Sequence, residues 1–288
     1  MSTRLTLYDR VAEDAASVVI RSYSTSFSAA SRLLRTDVRQ HVENIYALVR
    51  IADEIVDGGA EEAGLDLIAT TRQLNELERE TEHAMDQGFS SNLIVHAFAL
   101  TAREVSFGAE LTAPFFESMR MDLSEKEHDQ ASFERYVYGS AEVVGLMCLC
   151  AFLHGHDVSV EQRAKFEHGA RALGSAFQKV NFLRDLADDF DTLGRSYFPG
   201  VDVATFTEAE KVRLLDDLDA DLRDAAIGSQ LPSSSKRAVA LAHSLFAQLS
   251  KRIRATPASE LVRTRVRVPD VVKLRLAAAA VIGVSPRL

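Results

Sequence analysis

The chain has 288 residues, 47% of them hydrophobic, which is enough to enclose a sizeable core. A formal net charge of −9 leaves no face rich enough in lysine and arginine to follow a phosphate backbone, so nucleic acid is excluded as the main partner. The only two cysteines, Cys148 and Cys150, lie one residue apart in an apolar run; they exclude a disulfide framework and a thiolate zinc site and fit small buried thiols in a reducing compartment.

Six prolines leave long stretches rich in Ala, Leu, Glu and Arg at helical spacing. The periodicity predicts helices over roughly 9–21, 38–57, 64–87, 91–106, 113–122, 132–153, 160–191, 207–227, 235–254 and 270–283. Gly58-Gly59 is expected to end the second of these and Gly194 the seventh. No alternating strand pattern, βαβ rhythm or glycine-rich nucleotide fingerprint occurs, and no low-complexity linker divides the chain. The expectation is an all-α fold: one domain over 1–288, a helical bundle around a central cavity. The N-terminus lacks an apolar core of signal-peptide length, and the nine apolar residues 276–284 are too few to span a bilayer. A cytoplasmic protein, in peripheral contact with a membrane surface at most, is expected.

Three Asp-x-x-x-Asp pairs occur, and their surroundings separate them. At about 100° per residue, Asp217 shares its face with Glu210, Arg213, Asp221 and Asp224, opposite Leu215, Leu218 and Leu222. That is an ordinary solvated face and is assigned no function. Asp53 instead shares its face with Val42, Tyr46, Val49, Arg50, Val56 and Asp57. Asp185 shares one with Gly174, Gln178, Asn181, Phe182, Asp188 and Asp189, on a helix otherwise lined by Leu173, Val180, Leu183 and Leu186. Carboxylates in such apolar company are costly unless a cation joins them. One pair in each half of the chain points to a cavity taking Mg²⁺, with Mn²⁺ as its substitute, together with an anionic substrate, best a diphosphate.

The segments Tyr46–Asp57 and Gln178–Asp189 resemble the two signatures of the squalene/phytoene synthase family. Ser24-Thr-Ser-Phe27 resembles its N-terminal Ser-Phe motif, Tyr136 to Met147 its central Tyr/Gly segment, Gly194 to Pro199 its Arg-x-Tyr-x-Pro stretch, and Arg265 to Pro269 its C-terminal basic segment. These elements stand in order over about residues 22–270, and the form of the first motif is most similar to phytoene synthases. Leu34-Arg35, Glu142, Lys179 and Phe246 depart from the common pattern.

The resemblance implies an isoprenoid-synthase-type bundle that joins two prenyl diphosphates head to head. One diphosphate leaves, the allylic cation is attacked by the second molecule, and a cyclopropylcarbinyl diphosphate forms before rearranging to a linear hydrocarbon. Asp53, Asp57, Asp185 and Asp189 are then the metal and catalytic carboxylates, with Asn181 a further metal contact and Gln178 orienting beside it. Arg50, Arg184 and Arg265 are candidate phosphate donors. Tyr23, Ser24, Ser26, Phe27 and Tyr46 are candidates for the substrate wall, and Tyr136 for the cation path. Arg252, Arg254, Arg263 and Arg267 are expected to face solvent.

Ala29, Ala30, Ser31, Gly139, Ser140, Ala141 and Gly145 leave room for a long prenyl tail, favouring C20 geranylgeranyl diphosphate and phytoene, in carotenoid biosynthesis, over C15 farnesyl diphosphate. A squalene or dehydrosqualene synthase is the alternative enzyme, and a non-catalytic assembly factor the alternative of another class. A di-iron bundle would need Glu-x-x-His pairs, which are not suitably placed. A lipophilic product implies transient contact with a membrane surface or a downstream desaturase.

Overall fold

The computed structural model describes residues 3–193 and 197–281, with the side chains of Ser26, residues 187–193, Ile227, Ser229 and Val281 outside that description. The described residues contain helices and no strand. The N-terminal half runs through α1 (Arg4–Tyr23), α2 (Thr25–Ser31), α3 (Thr36–Val56), α4 (Gly59–Glu62), α5 (Leu67–Gln87), α6 (Leu93–Val105) and α7 (Ala109–Ser124). A continuous helical run follows, made of α8 (Gln130–Val137), a π-turn over Tyr138–Glu142 and α9 (Val143–Leu153). Next come α10 (Val160–Leu193), α11 (Glu208–Asp224), α12 (Ser233–Ala255), α13 (Ala258–Leu261) and α14 (Asp270–Val281).

Local chemistry accounts for the boundaries. Asp66, Asn92 and Asp129 accept from backbone N–H groups of the first turns of α5, α6 and α8, and Thr207 with Glu210 forms a capping box on α11. Gly58 follows α3 at φ +112°, a conformation that disfavours side chains, so the expected stop at Gly58-Gly59 holds. The expected stop at Gly194 lies outside the described residues. Several boundaries differ from the sequence reading. α1 starts at Arg4, before the predicted 9, α7 starts at Ala109, a turn before the predicted 113, with Pro114 inside it, and the one-turn helices α4 and α13 were not expected. α2 was not expected: its Ser-rich sequence has modest helix propensity, and the Ser24 hydroxyl starts it by accepting from Phe27 N at 3.1 Å.

Two apolar clusters carry most of the core. One joins α1, α3, α5, α6, α7 and α9 around Leu48, Leu74, Phe98, Phe115 and Phe116. The other joins α10, α11 and α12 around Leu183, Leu215, Leu218, Leu241 and Ile253. The run through the π-turn lies between them and packs closely on both sides, which its small residues permit. A Cβ at Gly139 would lie 2.1 Å from the Pro114 carbonyl oxygen, and one at Gly174 2.6 Å from that of Ala141. Gly139 therefore serves helix packing rather than tunnel width, contrary to its sequence reading. Gly139→Ala is expected to lower unfolding free energy by about 3 kcal/mol in urea titration; wild-type stability would contradict the close approach. The same run, Gln130–Leu153, is the only described helix long and apolar enough to cross a membrane; its Val143 and Met147 are buried in the first cluster, and its Leu149 and Leu153 in a smaller one with Phe166 and Leu231.

Candidate active site

A cavity of about 1040 Å³ opens between the two clusters, above the roughly 300–1,000 Å³ usual for a drug-sized ligand. Its wall gathers Tyr23, Ser24, Phe27, Tyr46, Arg50, Asp53 and Asp57 from the N-terminal half. From the other side come Tyr136, Gln178, Asn181, Arg184, Asp185 and Arg265. Segments separated by more than two hundred residues thus meet as the sequence reading expects. Ser26 lies on α2 and Asp189 on α10, but both side chains fall outside the described residues, as do Gly194, Arg195 and Ser196 of the Gly194–Pro199 stretch.

Asp53 sits in the last turn of α3, where no basic residue offsets the negative end of the helix. Desolvation, then the neighbouring Asp57 and Asp122, raise its carboxyl well above the usual carboxylate range, although Arg50 opposes this. Among the described residues no lysine or arginine forms a salt bridge with Asp53. Asp57 caps α3 and is exposed, because the chain turns away at Gly58. The first pair therefore runs from the wall to the rim of the cavity, not wholly inside it as expected. Burial also raises the Tyr46 phenol, with Asp53 a smaller contributor.

The arginines are engaged in this arrangement. Arg50 pairs with Glu54 one turn on and lies over the Tyr23 ring, 4.5 Å from its centroid, while its buried Nε has no partner. Arg184 donates to Asp185, its Nε standing 2.9 Å from Oδ1, and Arg265 reaches the same carboxylate at 2.7 Å. Asp185 is thus held between two guanidinium groups, and a phosphate arriving there would compete for both. Arg252 differs from expectation, since its Nε is buried, and Arg254 bridges Asp216 and Asp219, each at 2.8 Å.

The third Asp-x-x-x-Asp supplies an internal contrast. Asp217 and Asp221 receive Lys179 Nζ at 2.5 and 2.8 Å, and Ser175 donates to Asp221 at 2.7 Å. The face read as merely solvated binds α11 to α10 and accounts for Lys179 in an otherwise neutral stretch. There the protein supplies its own cation; at Asp53 the described residues form no such lysine pair.

That difference tests the fit of a metal. Carboxylate and amide oxygens are the hard donors Mg²⁺ takes, and Asn181 Oδ1 is buried in the cavity wall without a partner. No three His, Cys, Asp or Glu side chains among the described residues converge tightly enough to enclose an ion alone. Asp53 with Asp57, and Asp185 with Asn181, would each supply part of a coordination shell that phosphate oxygens complete. The donor set fits Mg²⁺ arriving with an anion.

Sequence reasoning missed the group under the cavity wall. Asp122, buried on α7, accepts from the Tyr136 hydroxyl at 2.8 Å and from the Tyr197 hydroxyl at 3.0 Å. Phe182 stacks on Tyr197 with centroids 4.0 Å apart. Tyr136 is raised well above the usual phenol range, by burial first and by Asp122 next. A second aromatic set, Phe27, Tyr46, Phe177 and Phe246, also lines the cavity, with Phe177 and Phe246 stacked at 3.7 Å and Phe27 about 6 Å from each. Its ring faces carry the negative quadrupole that attracts cations. Cys148 and Cys150 are free thiols, and burial pushes Cys148 up to about 12.

The fold is that of a class of helical synthases. A dehydrosqualene synthase crystallised with ligand superposes with a TM-score of 0.76, covering 95% of this chain and 96% of that one at 20% identity. Squalene synthase HpnC from Alicyclobacillus acidocaldarius gives 0.72 over 86% and 95%, at 21% identity. At sequence level, residues 20–271 match the squalene/phytoene synthase profile, and the chain belongs to that family. It is 28% identical to a phytoene synthase of Pseudescherichia vulneris over 269 residues, covering 85% of this chain and 84% of that protein. It is also 31% identical to 15-cis-phytoene synthase of Pantoea ananas over 61% of this chain, and 28% identical to phytoene synthase 3 of Zea mays over 80% of it. The chain spans about half the length of these last two, 56% and 50%.

Proposed function

We propose that the chain joins two molecules of geranylgeranyl diphosphate head to head, through a cyclopropylcarbinyl diphosphate, to give phytoene. The observation that carries this reading is the cavity's charge arrangement. Asp53, which no lysine or arginine bridges among the described residues, a partnerless Asn181 Oδ1 and three arginines border one cavity large enough for long apolar chains. The kinship with phytoene synthases supports the same choice.

In this reading Asp53, Asp57, Asp185, Asp189 and Asn181 hold Mg²⁺, which when bound acts as a Lewis acid toward the departing diphosphate. Arg50, Arg184 and Arg265 exchange their carboxylate partners for phosphate oxygens and fix the leaving group. Gln178 orients the adjoining oxygen donors. Tyr23 and Ser24 border the diphosphate end. Phe27, Tyr46, Phe177 and Phe246 present ring faces to allylic positive charge, and Tyr136 with Tyr197, fixed by Asp122, shapes the opposite wall. Enclosure keeps water from quenching the cation. Leaving hydrocarbon in water is unfavourable by about 0.8 kcal/mol per CH₂, so the reading places the enzyme in the cytoplasm, passing product to a membrane surface or a desaturase.

Farnesyl diphosphate is the second candidate substrate: a 4,4'-diapophytoene synthase of Staphylococcus haemolyticus is 26% identical over 70% of this chain. Purified protein with Mg²⁺ and either diphosphate, with and without NADPH, is expected to convert the C20 substrate to phytoene without reductant. Exclusive turnover of the C15 substrate would reject the chain-length choice. Failure to release pyrophosphate from either would favour a non-catalytic assembly factor.

A further inference from the structure

The outer face of α14 is exposed although its inner face is packed. Leu276, Ala277 and Ala280 turn toward the core of the C-terminal cluster, where α14 lies on α12. Val271, Leu274, Arg275 and Ala278 share the opposite stripe at about 100° per residue. Val271 is 74% and Leu274 70% exposed, an apolar pair left uncovered among the described residues.

Charge decides what covers it. Residues 262–281 hold five cations, Arg263, Arg265, Arg267, Lys273 and Arg275, against one acid, Asp270, in a chain of net charge −9. Arg265 binds Asp185 and Lys273 binds Asp270, but Arg263, Arg267 and Arg275 are exposed and form no ion pair among the described residues. Two other exposed apolar groups lack this surplus of cations: Leu5, Leu7, Val11 and Val18 lie on α1, where Arg4, Arg10 and Arg21 only balance Asp9, Glu13 and Asp14, and Leu67 and Ile68 stand between Glu61, Glu62 and Asp66 on one side and Arg72 on the other. An anionic surface would therefore favour α14 over either. The patch is also continuous with the cavity, whose wall includes Arg267, Val268, Pro269, Asp270 and Lys273.

We propose that the α14 stripe with Arg263, Arg267 and Arg275 docks on an anionic lipid bilayer, with Val271 and Leu274 entering the headgroup–acyl boundary and the adjoining cavity wall brought to the membrane. Apolar insertion and cation attraction act together in such contacts, and neither alone suffices for a patch this small. Docking needs no turnover, so its test is separate from that of the proposed chemistry.

The test is flotation of the full chain with phosphatidylcholine vesicles, with and without phosphatidylglycerol, alongside sedimentation velocity. Wild type is expected to float with the anionic vesicles only, and to be released by high salt. Val271→Ser with Leu274→Ser, and separately Arg263→Gln with Arg275→Gln, are expected to lower the bound fraction about tenfold or more. Ile68→Ser, on α5 and outside the α14 stripe, leaves it unchanged. All these side chains are exposed, so the variants keep the fold, checked by circular dichroism. Absence of flotation, or flotation untouched by both double variants, would overturn the proposal. So would a wild-type dimer that the Val271/Leu274 variant dissociates, since the stripe would then cover a second copy of the chain.

Discussion

Asp53→Asn is expected to cut kcat/KM by at least ~1,000-fold, about 4 kcal/mol of transition-state stabilisation, while making the metal-free protein more stable. Both effects come from the same carboxylate. Desolvation and its acidic neighbours raise its folded pKa above the unfolded value. The folded state therefore binds the proton more tightly than the unfolded chain. That stabilising contribution is fully present below the ordinary carboxylate range, near 4, and is lost as pH rises through the raised folded value. Above the raised folded value the chelator-treated wild type carries an ionised group that its surroundings disfavour, and asparagine removes it. Thermal melts in chelator should show a fall in wild-type Tm with rising pH that is reduced in Asp53→Asn, whose Tm is a few degrees higher at the upper end of the pH series. Adding Mg²⁺ with inorganic diphosphate should raise the wild-type Tm and leave the variant's nearly unchanged. Full turnover in the variant, or a lower Tm, would place Asp53 among ordinary structural acids.

Asp122→Ala should be the most destabilising single change in the cavity wall. It removes the acceptor shared by the Tyr136 and Tyr197 hydroxyls, both buried. A hydrogen bond to a charged group is worth about 1.5–3 kcal/mol, so a loss of about 3–5 kcal/mol is expected in urea unfolding. Turnover should fall about 100-fold even where the variant remains folded, because the two phenols that Asp122 fixes form one wall and Tyr197 carries the stacked Phe182 ring. Asp122→Asn keeps one acceptor oxygen and should lose about half the stability lost by alanine. Equal stability of wild type and alanine variant would mean that water satisfies both phenols without the carboxylate.

The carboxylates were legible in the sequence for the reason that makes them reactive: Asp53 and Asp185 interrupt apolar helical faces, and both line the cavity. Asp122 could have been found by the same test, since Phe115, Ser118 and Met119 on its face are all buried. Searching only for paired aspartates passed over it. Pairings across long sequence separations were not readable: Arg265 lies 80 residues from the Asp185 it binds, and Lys179 lies 42 residues from Asp221. Gly139 was misread because a small residue signals room and close packing equally, and only the carbonyl of Pro114 beside it decides. The long helices α3, α5 and α10 followed from apolar periodicity, whereas α2 depends on a single serine cap that periodicity does not register.

The central claim is that α3 and α10 offer their acids to divalent cations bridged by diphosphate across one cavity. Diffraction from crystals grown with Mn²⁺ and a non-cleavable prenyl thiodiphosphate tests it most directly. Anomalous peaks between the phosphate oxygens and the carboxylates of Asp53 and Asp185, with Arg184 and Arg265 turned onto phosphate, are the predicted result. Peaks away from both carboxylates, with the prenyl chain outside the cavity, would contradict the account.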